Sequence, residues 1–223
     1  VMSRLLLKTI DGINKPALAG LWPNQNNMNI VLDLGANIEC NSKSLIDFAC
    51  MGSALSKSLF EINRPKVSLL NVGLEENKGN DVLKKTFNVL KNDKIKDFNF
   101  CGYIEGNHIM DGDVDVIVTD GFTGNVALKT AEGTANFITS ELKKAMTGSL
   151  IGKFSSMLNI KNINKFKKRF DPRLYNGAIF LGLDSPVVKS HGSTDHIGFA
   201  NSLSLCEKIV SGNLIDKIKQ SID

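Results

Sequence analysis

Four groups of polar and glycine residues stand at the ends of apolar runs in this sequence: Asp33, Gly35 and Asn37; Lys78, Gly79 and Asn80; Asp120, Gly121, Thr123, Gly124 and Asn125; and Lys189, His191, Gly192 and Ser193. Their chemistry is that of anion handling. A lysine beside a glycine at the end of a strand can hold a phosphate as a point charge. Gly121 and Gly124 allow the backbone to come close to a ligand. A helix starting near Asn125 would turn its free N–H groups and about half a unit of positive dipole charge toward an anion, with Asp120 and Asn125 framing the spot. Blander readings stand beside these. A Gly-x-x-Gly turn is a weak signal, and Asp120 can equally be the cap of an ordinary strand-to-helix loop. Lys78 can be a solvated surface charge and His191 a structural histidine.

The motifs that are missing narrow the chemistry. There is no Gly-x-x-x-x-Gly-Lys-Ser/Thr loop, Gly-x-Gly-x-x-Gly, His-Glu-x-x-His or Gly-x-Ser-x-Gly. ATP hydrolysis, dinucleotide binding of the usual kind, zinc proteolysis and α/β-hydrolase chemistry all lose support. Cys40, Cys50, Cys101 and Cys206 are far apart without a Cys-x-x-Cys pair, the pattern of reduced thiols in a cytosolic protein. A covalent Ser or Cys nucleophile is not indicated, and no metal or cofactor is expected.

The elements that position these groups alternate. Asp113 to Asp120 reads as a strand whose Val114, Val116, Ile117 and Val118 form the β-branched run of a sheet covered on both faces. Behind it Val126, Ala131, Ala135, Ile138 and Leu142 recur at helical spacing. Further strands are expected at Ala17–Leu21, from Asn29 toward Asn37, at Lys66–Gly73, at Phe98–Glu105 and from Pro186. Helices are expected over Met2–Ile10 and Ser44–Phe60, through Leu83, Phe87 and Leu90, and through Phe199, Leu203, Cys206, Val210 and Leu214. The fold class is therefore α/β, a mixed, largely parallel sheet flanked by helices, forming a single region over 1–223. Strands ending at Asp33, Gly73, Asp120 and Lys189 would bring their loops to one edge as a common site.

The 223 residues are 42% hydrophobic and 22% charged, as in a soluble globular protein, and no apolar run suffices to span a bilayer. A net charge of +4 does not by itself imply nucleic acid. The chain opens on Val1 and runs directly into what reads as mid-helix, so the sequence is expected to begin part-way through a longer protein. Positive charge concentrates in an insertion over 147–170. There Leu150, Ile151, Phe154, Met157 and Leu158 share one helical face, and Ile160, Ile163, Phe166 and Phe170 form a second stripe beside Lys161, Lys165, Lys168 and Arg169. This protruding amphipathic helical hairpin has the pattern of a membrane-surface element, with Leu150, Phe154, Met157, Leu158, Lys161 and Lys165 as the contacts. A hairpin packed on its own core or a dimer contact is the alternative.

Seven segments in order along the chain, Leu32-Asp-Leu-Gly-Ala-Asn37, Met51-Gly-Ser53, Leu70-Asn-Val-Gly73, Lys78-Gly-Asn80, Val118-Thr-Asp-Gly-Phe-Thr-Gly-Asn125 with Leu128-Lys-Thr130, Tyr175-Asn-Gly-Ala178 and Lys189-Ser-His-Gly-Ser-Thr-Asp195, resemble the bacterial phosphate acyltransferases of the PlsX family. Roughly the family's first third, with its Asp-Ala-Met-Gly-Gly-Asp and Gly-Asn-Thr-Gly loops, lies outside the sequence. Asn176 and Ser190 stand where the family usually has Gly and Ala.

The resemblance implies the fold of the isocitrate and isopropylmalate dehydrogenases, shared with phosphotransacetylase. It implies a cytoplasmic homodimer, peripherally associated with the membrane, that moves a long acyl group from acyl carrier protein to inorganic phosphate. The acyl phosphate would feed a membrane glycerol-3-phosphate acyltransferase. Lys78 and Asn125 take the catalytic roles on this resemblance. Asp33, Asn37, Gly79, Asn80, Asp120, Gly121, Thr123, Gly124, His191, Gly192 and Ser193 line the pocket, with His191 a weaker candidate for protonating the leaving thiolate. The rival expectations are a phosphotransacetylase-like enzyme on short acyl-coenzyme A, a decarboxylating dehydrogenase, and an inactive lipid-surface binding fragment.

Overall fold

In the computed structural model, residues 6–92, 97–149, 151, 154, 157–169, 171, 173, 177–192 and 194–222 are described, with backbone alone for 167–169. Leu150, Tyr175, Asn176 and Ser193, and most of the expected opening helix, lie outside them.

The strands are β1 (Ala17–Pro23), β2 (Met28–Leu32), β3 (Lys66–Asn71), β4 (Asn99–Glu105), β5 (Val116–Val118), β6 (Ala178–Leu181) and β7 (Val187–Lys189). The helices are α1 (Ser42–Phe60), α2 (Asp81–Asn92), α3 (Gly121–Thr147), α4 (Ile160–Arg169), α5 (His196–Ser211) and α6 (Leu214–Ile222). All seven strands form one mixed sheet in the order β4-β3-β5-β2-β1-β6-β7. β4, β3, β5 and β2 run parallel, and β1, β6 and β7 follow antiparallel.

Alternation along the strands divides the core between two faces. Ile30, Leu32, Val67, Leu69, Val116 and Val118 pack with α1, whose Phe48, Ala49, Met51 and Leu55 are buried, and with Ile209, Leu214 and Ile218 of α5 and α6. Val31, Leu70 and Ile117 face the other way, onto Leu18, Trp22, Leu34, Ile104 and Ile109. The buried run Val116-Ile117-Val118 is thus covered on both faces, as its β-branched composition requires. Gly52 lets α1 lie flat on the sheet, because a Cβ there would stand 2.5 Å from Val116 Cγ1.

Several expectations change. β1 extends through Trp22 to Pro23 and forms a hairpin with β2, because the Asn24 side chain accepts the N–H groups of Asn26 and Asn27 and closes the turn. Residues 8–10 are extended rather than helical. Ile10 N–H donates to the Gly182 carbonyl at 3.0 Å, and Asp184 N–H donates to Lys8 at 2.9 Å. The stripe Phe199, Leu203 and Val210 is exposed, and α5 instead buries Gly198, Ser202, Leu205 and Ile209. That face closes on Gly177, where a Cβ would lie 3.1 Å from Leu205 Cδ2 and 3.4 Å from Ser202 Oγ. The chain then breaks at Asn213, with φ of 50°, before Leu214 starts α6.

α3 differs most. It starts at Gly121 rather than near Asn125, and among its residues only Gly121 and Gly124 are fully buried. Ala127, Leu128 and Ala131 rest partly on the second core, while Glu132 to Ser149 are exposed apart from half-buried Met146.

Candidate active site

The site region is assembled from the loops that leave β2, β3 and β5. Asp33 is its hub and is fully buried. Its carboxylate accepts the N–H groups of Leu18 at 3.0 Å, Gly35 at 3.2 Å, Ala36 at 2.9 Å and Asn37 at 2.7 Å, and the Asn37 side-chain amide at 2.8 Å. Asn37 also donates to the Pro16 carbonyl at 2.8 Å and is buried. Asp33 and Asn37 therefore fold the loop around themselves.

The β5 loop docks on that scaffold without intervening side chains. Gly121 N–H donates to the Asn37 carbonyl at 2.8 Å. A Cβ on Gly121 would stand 2.5 Å from the Asn37 carbonyl oxygen, and one on Gly124 would overlap the Asp33 carbonyl oxygen. Both glycines are required by close backbone approach. Asp120 is the helix cap, its side chain accepting Thr123 N–H at 2.8 Å and Thr123 Oγ1 at 3.0 Å. Gly124 N–H donates to the Asp120 carbonyl at 2.9 Å. The N–H groups of Gly121, Thr123 and Gly124 thus all have partners, which corrects the expectation of a free cluster of helix-end donors. Asn125 is exposed, with Gly35 (φ 123°) packed against its side chain, where a Cβ would lie 3.5 Å from Asn125 Cβ.

Lys78 leaves the same edge of the sheet after β3, the immediate neighbour of β5. Its side chain lines an open cavity of about 280 Å³ with Val72, Gly73, Leu74, Glu75 and Glu105. Gly79 holds φ at 84° beneath it, and Asn80 caps α2 by accepting Leu83 N–H at 2.9 Å. Asn125 lies outside that cavity's lining, one loop away across the β3–β5 pair.

The fourth loop does not join this edge. β7 runs antiparallel to β6, β6 to β1, and β1 to β2, so β7 points opposite to β2, β3 and β5. Lys189 pairs with Ala178 at the start of β6, and the exposed His191 and Gly192 leave the strand in the opposite sense from Asp33 and Asp120. Three of the four expected loops leave the sheet at the same edge, and alternation of strands and helices alone could not reveal the reversal of the fourth.

The Cys40 thiol beside the site and the Cys50 thiol in the core stay protonated. Burial, with Asp33 nearby, pushes Cys40 up to about 11, and burial lifts Cys50 to about 11. Neither is a thiolate nucleophile near neutral pH. Among the described residues, no three His, Cys, Asp or Glu side chains gather as a metal site would require.

One residue that matters had no assigned role in the sequence. Asn71, the last residue of β3, is 7% exposed, and neither its amide nitrogen nor its oxygen has a hydrogen-bond partner among the described residues. Its signals in the sequence were a polar side chain closing the run Val67-Ser-Leu-Leu70 and its place in the segment Leu70-Asn-Val-Gly73.

The family model described as fatty acid synthesis protein matches residues 1–217. The phosphate acyltransferase of Pelagibacter ubique (strain HTCC1062) is 67% identical over 222 residues, which are 100% of this chain and 67% of that protein. The chain belongs to this family. The phosphate acyltransferase of Paramagnetospirillum magneticum is 45% identical over 222 residues, 100% of this chain and 63% of that protein, so this chain spans a little under two thirds of that relative. Among solved structures, the EutD phosphotransacetylase from Staphylococcus aureus matches with a TM-score of 0.56 at 16% identity, covering 98% of this chain and 58% of that one. The branched-chain phosphotransacylase from Enterococcus faecalis V583 matches at 0.53 and 17%, covering 87% and 64%. These last two share the α/β fold.

Proposed function

We propose that the complete protein is a phosphate acyltransferase, moving an acyl group from the thioester of acyl carrier protein to inorganic phosphate. The observation that supports this most is the relation to phosphate acyltransferases along the whole chain, 67% identical in the nearer of the two described above. In the reaction a phosphate oxygen attacks the thioester carbonyl carbon. A C–O bond forms, the C–S bond breaks, and the thiolate leaves to be protonated while the acyl phosphate departs. Phosphate is the nucleophile, so the protein needs to hold a dianion beside the thioester and to stabilise the oxyanion.

Lys78 and Asn125 take those tasks in this reading. The Lys78 ammonium offsets the charge of phosphate or of the developing oxyanion. The Asn125 amide, held at the surface by Gly35 and the α3 backbone, donates a hydrogen bond to it. Loss of one such donor typically costs about 2.7–4 kcal/mol in the barrier. Because Gly121, Thr123 and Gly124 already use their N–H groups, side chains rather than the helix end carry the electrostatics.

A peripheral, cytoplasmic homodimer is part of the same proposal, and exposed apolar side chains support its dimer and membrane contacts. Phe137, Ile138 and Leu142 of α3 are exposed, and a second copy covering them is the proposed occupant. Phe154, Met157 and Leu158 are 65%, 73% and 75% exposed, ahead of Lys161 and Lys165, and are proposed to meet anionic lipid. Among the described residues no helix is long and apolar enough to cross a membrane. A long-chain acyl phosphate is poorly soluble, so docking at the bilayer shortens its path to a membrane glycerol-3-phosphate acyltransferase. The same cations suit the acidic acyl carrier protein.

The test is acyl phosphate formation by the complete protein, comparing long-chain acyl-acyl carrier protein with acetyl-coenzyme A. Turnover of the former with phosphate is expected. Preference for acetyl-coenzyme A, or no phosphate-dependent turnover, would overturn the reading.

A further inference from the structure

Asn71 presents an unusual energetic situation. It closes β3 in register with Glu105 of β4, is 7% exposed, and leaves both its donor and its acceptor unpaired among the described residues. The Gly79 backbone lies across it, so close that a Cβ on Gly79 would stand 2.5 Å from Asn71 Oδ1. Gly79 contributes no hydrogen bond to the amide in return. A buried amide without partners is destabilising, and an apolar side chain of similar shape would fill the same space without that cost. Packing therefore does not account for an asparagine here, whereas a partner that arrives with a ligand does.

The surroundings say what that partner is. The adjoining cavity is lined by Glu75, Lys78 and Glu105. Asn71 itself lies just outside that lining, and inorganic phosphate, which offers mainly acceptors, would leave Asn71 Oδ1 without a donor. A neutral amide supplies an N–H for Asn71 Oδ1 and a carbonyl for Asn71 Nδ2 at once. The thiol arm of carrier protein and of coenzyme A is built on such amides.

We infer that Asn71 is a substrate-binding residue that pairs with an amide of the acyl donor's pantetheine arm, once the turn of exposed Lys78 and half-buried Gly79 shifts aside. This rests on the acyl-transfer reading above and names the part of the substrate that the β3 edge takes. The movement of the turn couples donor binding to the placement of Lys78.

The test uses the complete protein with Asn71→Leu. The expected result is a melting temperature equal to or above that of the wild type, a KM for the acyl donor raised at least tenfold, and a KM for phosphate within about twofold. A stable variant with wild-type KM for the donor overturns the inference. A rise confined to phosphate overturns the choice of ligand. Free pantetheine added to the ¹⁵N-labelled wild type should also shift the Asn71 side-chain resonance, and phosphate should not. An unmoved resonance with pantetheine overturns the inference even where the leucine variant fails to fold. Wild-type protein that transfers no acyl group defeats the acyl-transfer reading, and the pantetheine titration still decides Asn71.

Discussion

At the scale of residues, the site depends on a carboxylate whose oxygens are taken up by the neighbouring backbone and by Asn37. Asp33 gathers five donors in a fully buried position, and in doing so fixes the platform on which Gly121, Gly124 and Asn125 sit. Asp33→Ala would strand those donors and is expected to cost about 3 kcal/mol or more of stability in denaturant titration. A change below about 1 kcal/mol would show that the loop holds without it. A second residue-scale prediction concerns pH. Asp171 is held below its ordinary value of 3.8 by hydrogen bonds from Arg173, and Asp195 by the Gly198 N–H and then Arg173. The folded state therefore sheds these protons more readily than the unfolded chain. The stability they contribute is full above the unfolded pKa and is lost as pH falls through the depressed folded values. Arg173→Gln should make the loss of stability on acidification below about pH 4 shallower than in the wild type, measured by denaturation across that range. An unchanged acid limb would contradict the pairing.

At the scale of elements, β5 was legible in the sequence because a short, nearly continuous β-branched run suits a strand covered on both faces, and the structure divides its side chains between two cores. Val31 and Ile117 face one way, and Ile30, Leu32, Val116 and Val118 the other. The start of α3 was not legible, because Gly-Phe-Thr-Gly has low helical preference and looks like a turn. Tertiary contact overrides it: only glycines let the first helical turn lie on the Asn37 and Asp33 backbone. Gly124→Ala should accordingly push the helix start away from the β2 loop. The expected outcome is a loss of about 1–3 kcal/mol of stability, with a fall in kcat as Asn125 is displaced. Wild-type turnover in that variant would separate the packing from the chemistry. Lys189 and His191 were grouped with the other loops because a strand followed by a polar turn has the same sequence pattern whichever way the strand runs. Only the pairing of β7 with β6 sets its direction.

At the scale of the whole molecule, apolar surface without cover is concentrated on α3 and on the segment that follows it. Ile138→Glu with Leu142→Glu should convert a dimer to monomers in sedimentation equilibrium, because both side chains are exposed on one chain and do not hold its core. Dimers of unchanged affinity would refute α3 as the contact. Phe154→Glu with Leu158→Glu should reduce co-sedimentation with anionic vesicles several-fold and leave turnover of soluble donor intact. Unchanged vesicle binding would show that the lipid contact lies elsewhere. Both surfaces matter to the cell only if the edge of the sheet that carries Lys78 and Asn125 transfers acyl groups. Steady-state kinetics of the complete protein with Lys78→Ala and with Asn125→Ala, on long-chain acyl-acyl carrier protein and phosphate, is the most direct measurement of that. The account predicts that kcat falls about 10²–10³-fold in each with the fold retained, and near-normal turnover in both would contradict it.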